Sequence, residues 1–292
     1  MTEISKISIV ASFVGLWITS LLKNDLQIIV GFLLILSFGI LHGANDLVLL
    51  KKIKKNKNKT FLSLLLSYLL VVFISALIFI FIPWIALIVF VLVSAYHFGE
   101  QHWQELENYK WNWLKPIFYF VYGIVILLLL FQFHYKEVQK IIFGITQYHV
   151  GFINNSTLLL IFGVLLLILM AYNYYESPKF RKTFLNEMLY LLIFGLIFKM
   201  SSLIWGFTIY FILWHSIPSL NDQIKFLYGN YSFNNFKLYF KSAYIYWIVS
   251  LLGISILYYF LNEKKIFDAI FFSFLAAITF PHAFVILKMF KK

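Results

Sequence analysis

Apolar runs of membrane-spanning length alternate along the chain with short polar breaks. A helix rises 1.5 Å per residue, so about twenty apolar residues cross the hydrocarbon core of a bilayer. The pattern predicts about ten spans, near 7–22, 26–50, 61–82, 84–103, 116–133, 157–175, 187–200, 203–220, 242–260 and 267–290. Pro83 and Trp84 mark a tight turn between the third and fourth. Pro116 opens the fifth, where its missing N–H costs nothing. The seventh run is short, which predicts a tilted helix or half of a broken pair. The stretch 134–156 is too short and too polar to span, and predicts a segment lying along the interface. The first run follows Lys6 as a signal peptide would. It ends in LLKND and a second apolar run rather than a small-residue cleavage site, so it reads as a retained helix. The expected fold is all-α: a polytopic integral membrane helix bundle forming one transmembrane domain over 1–292, without internal repeats.

Composition agrees. With 62% hydrophobic residues and 12% charged, the chain carries more apolar surface than a soluble domain of 292 residues can bury, so lipid is its solvent. The net charge of +12 would suggest nucleic acid in a soluble protein. Here the lysines fall in the loops, most densely in KKIKKNKNK at 51–59, and read as topology, with nucleic acid excluded as a partner. With that loop in the cytoplasm both termini are cytoplasmic, and 18 of the 24 basic residues lie inside against 6 outside. There is no cysteine, so disulfides, iron–sulfur clusters and thiolate ligands are excluded. A metal would be held by imidazole, carboxylate or backbone oxygen.

Four histidines lie inside the apolar runs: His42, His97, His215 and His282. Charged side chains at such depth cost about 2.5 kcal/mol or more, so ionisable groups there are rare without a role. The four fall on the second, fourth, eighth and tenth spans, which run in the same direction. Each lies roughly 6–9 residues before its cytoplasmic end, or about 9–14 Å from that surface. A shared level on parallel helices points to one metal or haem site. His102 and Trp103 read as interfacial residues, and His134 and His149 as ordinary solvated histidines.

The surrounding words add detail. In HGAND, the i, i+4 spacing places His42 and Asp46 on one helix face. Asp46 is then suited to accept the second ring N–H of a ligating histidine, its own or another. Gly43 lets a neighbour approach closely; the plainer reading is a packing glycine beside a satisfied polar pair. In YHFGEQHW, Glu100 follows His97 by three residues on nearly the same face, as a ligand or a ligand's partner. In LWHSIPSL, Pro218 predicts a kink or stop just past His215, with Ser216 or Ser219 satisfying a freed carbonyl. In TFPHAF, Pro281 predicts a broken helix at His282. P-loop, GxSxG, HExxH and Rossmann glycine patterns are absent, as are the tandem HxxxH and HxxHH boxes of membrane desaturases.

All-imidazole ligation suits zinc, copper or iron. Zinc hydrolysis usually adds an acid–base carboxylate and a route for water. Iron with an open position binds O2. Together with 34 Phe and 19 Tyr, many of them mid-span, this points to an oxygenase acting on a hydrophobic molecule taken from the membrane.

HGAND, YHFGEQHW, WHSIPSL and PHAFV, in this order over roughly 30–290, resemble the bacterial Brp/Blh-type β-carotene 15,15′-dioxygenases. The resemblance implies Fe(2+), O2 and cleavage of the central double bond of β-carotene into two all-trans-retinal molecules. It also implies a multi-pass protein of the bacterial inner membrane and a functional link to a microbial rhodopsin. It carries the metal-ligand role onto His42, His97 and His215. Members often have a further histidine four residues after the third, where this chain has Ser219. Either His282 or a water beside Ser219 then completes the set, and the shared depth favours His282. Asp46 and Glu100 would orient and tune the ligands. Histidines must be neutral to ligate, so activity falls at acid pH. Three alternatives stay open: a histidine-ligated membrane haem electron-transfer protein, a carrier with histidines on a proton or metal path, and a non-enzymatic retinal-binding maturation factor for a rhodopsin.

Overall fold

The computed structural model describes residues 1–53, 60–104, 106, 113–148, 155–260 and 264–291. They form α1 (Glu3–Leu21), α2 (Asn24–Ile53), α3 (Phe61–Phe81), α4 (Pro83–Trp103) and α5 (Leu114–Phe133). There follow α6 (Tyr135–Thr146) and α7 (Asn155–Glu176). The chain continues with α8 (Pro178–Met200), α9 (Leu203–Tyr228), α10 (Phe233–Phe260) and α11 (Lys264–Phe290). Among the described residues, ten helices are long and apolar enough to cross a membrane. The protein is a polytopic membrane helix bundle. α6 is the exception: its 12 residues reach only about 18 Å, short of a hydrocarbon core of about 30 Å.

Local sequence sets the helix starts. The side chains of Thr2, Thr60, Ser177 and Ser202 each accept an N–H from the first turn of the helix that follows. Pro178 adds a preset φ at the first position of α8. α8 is therefore 23 residues long, and the expectation of a short seventh helix is wrong. Its first turns carry Lys179, Arg181 and Lys182, which lower the local hydropathy without stopping the helix. α9 likewise runs through Pro218 to Tyr228, where Gly229 turns the chain at φ +92°. Lys52 caps this end, donating to the carbonyls of Phe226 and Leu227 at 2.6 and 2.7 Å. α11 passes through Pro281 unbroken, against the expected break there. Large side chains such as Trp17, Ile80, Phe81, Leu167 and Leu192 are mostly exposed, as a lipid-facing surface requires.

The chain divides into two compact units. The first comprises Met1–Ile35, Ser94–Gln139 and Val150–Pro218. In it α5 packs along α7 and α8, and Phe194, Phe198, Tyr210 and Trp214 form a continuous aromatic core. α4 and α5 touch backbone to backbone. A Cβ added at Gly99 would overlap the Tyr119 carbonyl, and one at Gly123 the Ala95 carbonyl. The second unit comprises Leu36–Val93, Lys140–His149 and Ser219–Lys292. Its α11 packs on α3 and on the 46–53 segment of α2, burying Leu49, Leu50, Leu64, Val285, Ile286 and Met289.

Three aromatic and imidazole side chains depart from their sequence reading. Trp103 is buried and stacks on Phe180 at 5.2 Å rather than anchoring at an interface. His102 is partly buried, with Nε2 2.7 Å from Glu187 Oε2 and its ring stacked on Tyr122. His134 is also buried, its Nε2–H donating to the Phe198 carbonyl at 2.8 Å across the α5–α8 junction. His149 lies outside the described residues.

Burial holds the His134 pKa below the ordinary imidazole range, with the Phe198 hydrogen bond opposing it. The unfolded chain then binds the proton more readily than the folded one, so stability is lost as the pH falls below about 6.5. The His134→Gln variant should show a smaller drop in melting temperature between neutral pH and mild acid than the parent. Equal drops in the two proteins would show that His134 does not contribute.

Candidate metal centre

In the second unit the site begins with a disturbed helix. Residues Ile35–Gly39 of α2 form a π-helical turn. Inside it, the Ser37 carbonyl accepts the indole N–H of Trp247 from α10 at 2.9 Å. A side chain inserted at a carbonyl is a recognised cause of local ladder rearrangement. The helix then breaks again at Ala44–Asn45, between His42 and Asp46. The expected continuous i, i+4 pairing is thus interrupted, and Asp46 instead starts the next helical segment.

The carbonyls freed at this break are held by α10. The Tyr239 hydroxyl lies 3.1 Å from the His42 carbonyl and 2.8 Å from Gln223 Oε1. Asn45 donates to the Tyr239 carbonyl at 2.9 Å and accepts from Ser242 at 2.8 Å. Gln223 in turn donates to Ser219 Oγ at 3.1 Å. Ser219 is fully buried, and its hydroxyl is engaged in this scaffold.

His42 and His282 meet edge to face, their ring centroids 4.7 Å apart and their planes at 85°. Both are buried, and each offers a ligand nitrogen within 4.8 Å of the other. His282 Nδ1 lies 2.9 Å from Asp46 Oδ1. Of the two partners open to Asp46 from sequence, the one realised here is the histidine of another helix. The second carboxylate oxygen accepts the Tyr68 hydroxyl at 2.9 Å. Gly43 gives this arrangement room: a Cβ there would sit 3.5 Å from His282 Nδ1.

The first unit holds the other two histidines. His97 on α4 and His215 on α9 also meet edge to face, with centroids 4.8 Å apart and planes at 78°. His215 lies in a second π-helical turn, Phe211–Ser216, two residues before Pro218. The proline has no N–H to give the carbonyl one turn back, and its ring crowds that carbonyl. The distortion therefore falls before the proline, and the helix does not stop. π turns inside α-helices are frequent at functional sites. Phe207, Phe211 and His215 form a stacked column with ring spacings of 5.2 and 5.5 Å, and Phe98 packs its edge against His215 at 4.7 Å. Glu100 is buried one turn beyond His97, and the Tyr96 hydroxyl lies 3.5 Å from its Oε1, at the outer limit of a hydrogen bond.

The four predicted histidines thus form two close orthogonal pairs, each buried within its own unit. Sequence reading missed Tyr68, Tyr239, Gln223 and Trp247. The chain holds 19 Tyr and 8 Trp, and nothing in their spacing marks these three.

A family model described as "Beta-carotene 15,15'-dioxygenase" matches residues 33–290. No curated protein and no solved structure matches the chain.

Proposed function

We propose that this chain, which belongs to the β-carotene 15,15′-dioxygenase family, cleaves the central double bond of β-carotene with O2 to give two all-trans-retinal molecules. The observation that carries this reading is the extent of the family match: residues 33–290 take in all four membrane-depth histidines. Iron(II) held by His42, His97, His215 and His282 is part of the proposal. The donor set suits it. Both pairs are buried imidazoles without thiolates, and intermediate ligands of this kind accept iron. The ring spacing of 4.7–4.8 Å leaves no room for a porphyrin plane between the members of either pair, which argues against a haem held within one pair.

When bound, iron(II) would supply the redox chemistry that adds dioxygen to an alkene. The carbon–carbon double bond breaks, each carbon takes one oxygen atom, and O2 is the sole oxidant, so no external reductant or proton is consumed. The protein's share is orientation and dryness. Asp46 holds a proton at His282 Nδ1, which turns the Nε2 lone pair to ligation. Phe98 and Phe211 cover His215 and keep water from it. Ser219 occupies the place where relatives often have a further histidine. Its bond to Gln223 favours a scaffold role there and supports His282 as the fourth ligand. The substrate enters from the bilayer of the bacterial inner membrane, and retinal passes to a rhodopsin.

Expressing the chain in a β-carotene-accumulating bacterium tests this directly. Loss of orange colour with retinal in the extract, and without longer apocarotenals, is the expected result. Persistent colour from well-expressed protein would reject it.

A further inference from the structure

We propose that Tyr68 is a positioning residue of the metal centre, holding Asp46 in the one orientation that fixes the proton of His282. The inference rests on the reading of His282 as an iron ligand. α3 is the least promising place for such a residue. Most of its large side chains face lipid, and Ser67 and Ser75 spend their hydroxyls on carbonyls of their own helix. Tyr68 instead turns inward onto Leu49, Leu50 and Ile286, and its hydroxyl reaches Asp46 Oδ2 at 2.9 Å.

The geometry has a clear logic. Asp46 is 2% exposed, and a buried carboxylate is costly unless both oxygens are bonded. Oδ1 takes His282 and Oδ2 takes Tyr68, from two different helices. A carboxylate held at both ends cannot rotate about its terminal torsion, which is otherwise broad and two-fold. The plane of the His282 ring and the nitrogen bearing its proton are then set by Tyr68 through Asp46. Phenylalanine at 68 would keep the ring packing and lose only the donor, leaving the carboxylate free to swing. Outer partners of metal-bound histidines typically change affinity about 10–100-fold when removed.

The test is Fe(II) affinity of purified chain in lipid nanodiscs, measured by chelator competition with Fe(II) alone as the probe. Tyr68→Phe is expected to bind Fe(II) about 10-fold more weakly. The same substitution in an Asp46→Asn background should cause no further loss. The Co(II)-substituted absorption spectrum should shift in Tyr68→Phe, a change that mere loosening of α3 would not produce. Undiminished affinity in Tyr68→Phe, while His282→Ala is weakened, would overturn the positioning role and leave the ligand reading standing. An equal loss in both backgrounds would also overturn it, because the effect would not pass through Asp46. Unchanged affinity in His282→Ala would remove both readings together.

Discussion

Gly99→Ala is expected to be the most damaging single-methyl change in the chain. The added carbon would fall on the Tyr119 carbonyl, and the reciprocal methyl at Gly123 on the Ala95 carbonyl. Ala95 and Gly99 on α4 face Tyr119 and Gly123 on α5 with matching four-residue spacing, the small-residue arrangement that lets membrane helices touch. Both obstructing groups are backbone, so no rotamer change relieves the clash. Overpacking costs about 1–3 kcal/mol, and a rigid obstacle puts this site at about 3. For a chain of this size that is a drop of about 10 °C in melting temperature. Gly163→Ala is the control, because a Cβ there meets nothing within 4 Å. If Gly99→Ala melts with the control after detergent extraction, the α4–α5 contact is wrong. His97 stands two residues from Gly99, so a displaced α4 should also cost iron.

Alanine at His42, His97, His215 or His282 should remove iron binding and retinal formation together. Losing a direct ligand should cost more than losing a ligand's partner, so affinity is expected to fall by at least about 100-fold. His102→Ala is the matched comparison. It too deletes a helix-borne imidazole, but one spent on Glu187 at 2.7 Å, and its iron content should stay at the parental level. Metal analysis of each purified variant gives the answer independently of turnover. Full iron in His42→Ala would end the ligand assignment. A loss in the first three variants with full iron in His282→Ala would return the fourth place to water beside Ser219.

The membrane spans were readable because lipid imposes a length and a composition that hydropathy sees directly. All ten predicted runs correspond to helices. The errors fall where helices leave the apolar zone. α8 begins at Pro178 and α10 at Phe233, both ahead of the expected starts, because charged and polar first turns hide from hydropathy while Ser177 and Pro178 initiate α8 all the same. Prolines misled in the other direction. Pro218 and Pro281 read as breaks, yet each forfeits one ladder bond and the helix goes on. Among the site residues, the histidines stood out because ionisable groups are rare at that depth. Their supports did not. Tyr68, Tyr239 and Trp247 are ordinary membrane residues whose hydrogen bonds depend on which helix faces which, and local pattern does not encode that.

The two π turns, Ile35–Gly39 and Phe211–Ser216, make chain length more critical there than residue type. Each accommodates a residue that a regular α-helix would not. Deleting one residue from either stretch would let the ladder close as plain α-helix, and all that follows would rotate by about 100° about the axis relative to what precedes. A substitution in these stretches is felt by its neighbours. A deletion in the first would re-aim His42, and one in the second would re-aim His215, with the caps of α2 and α9 left untouched.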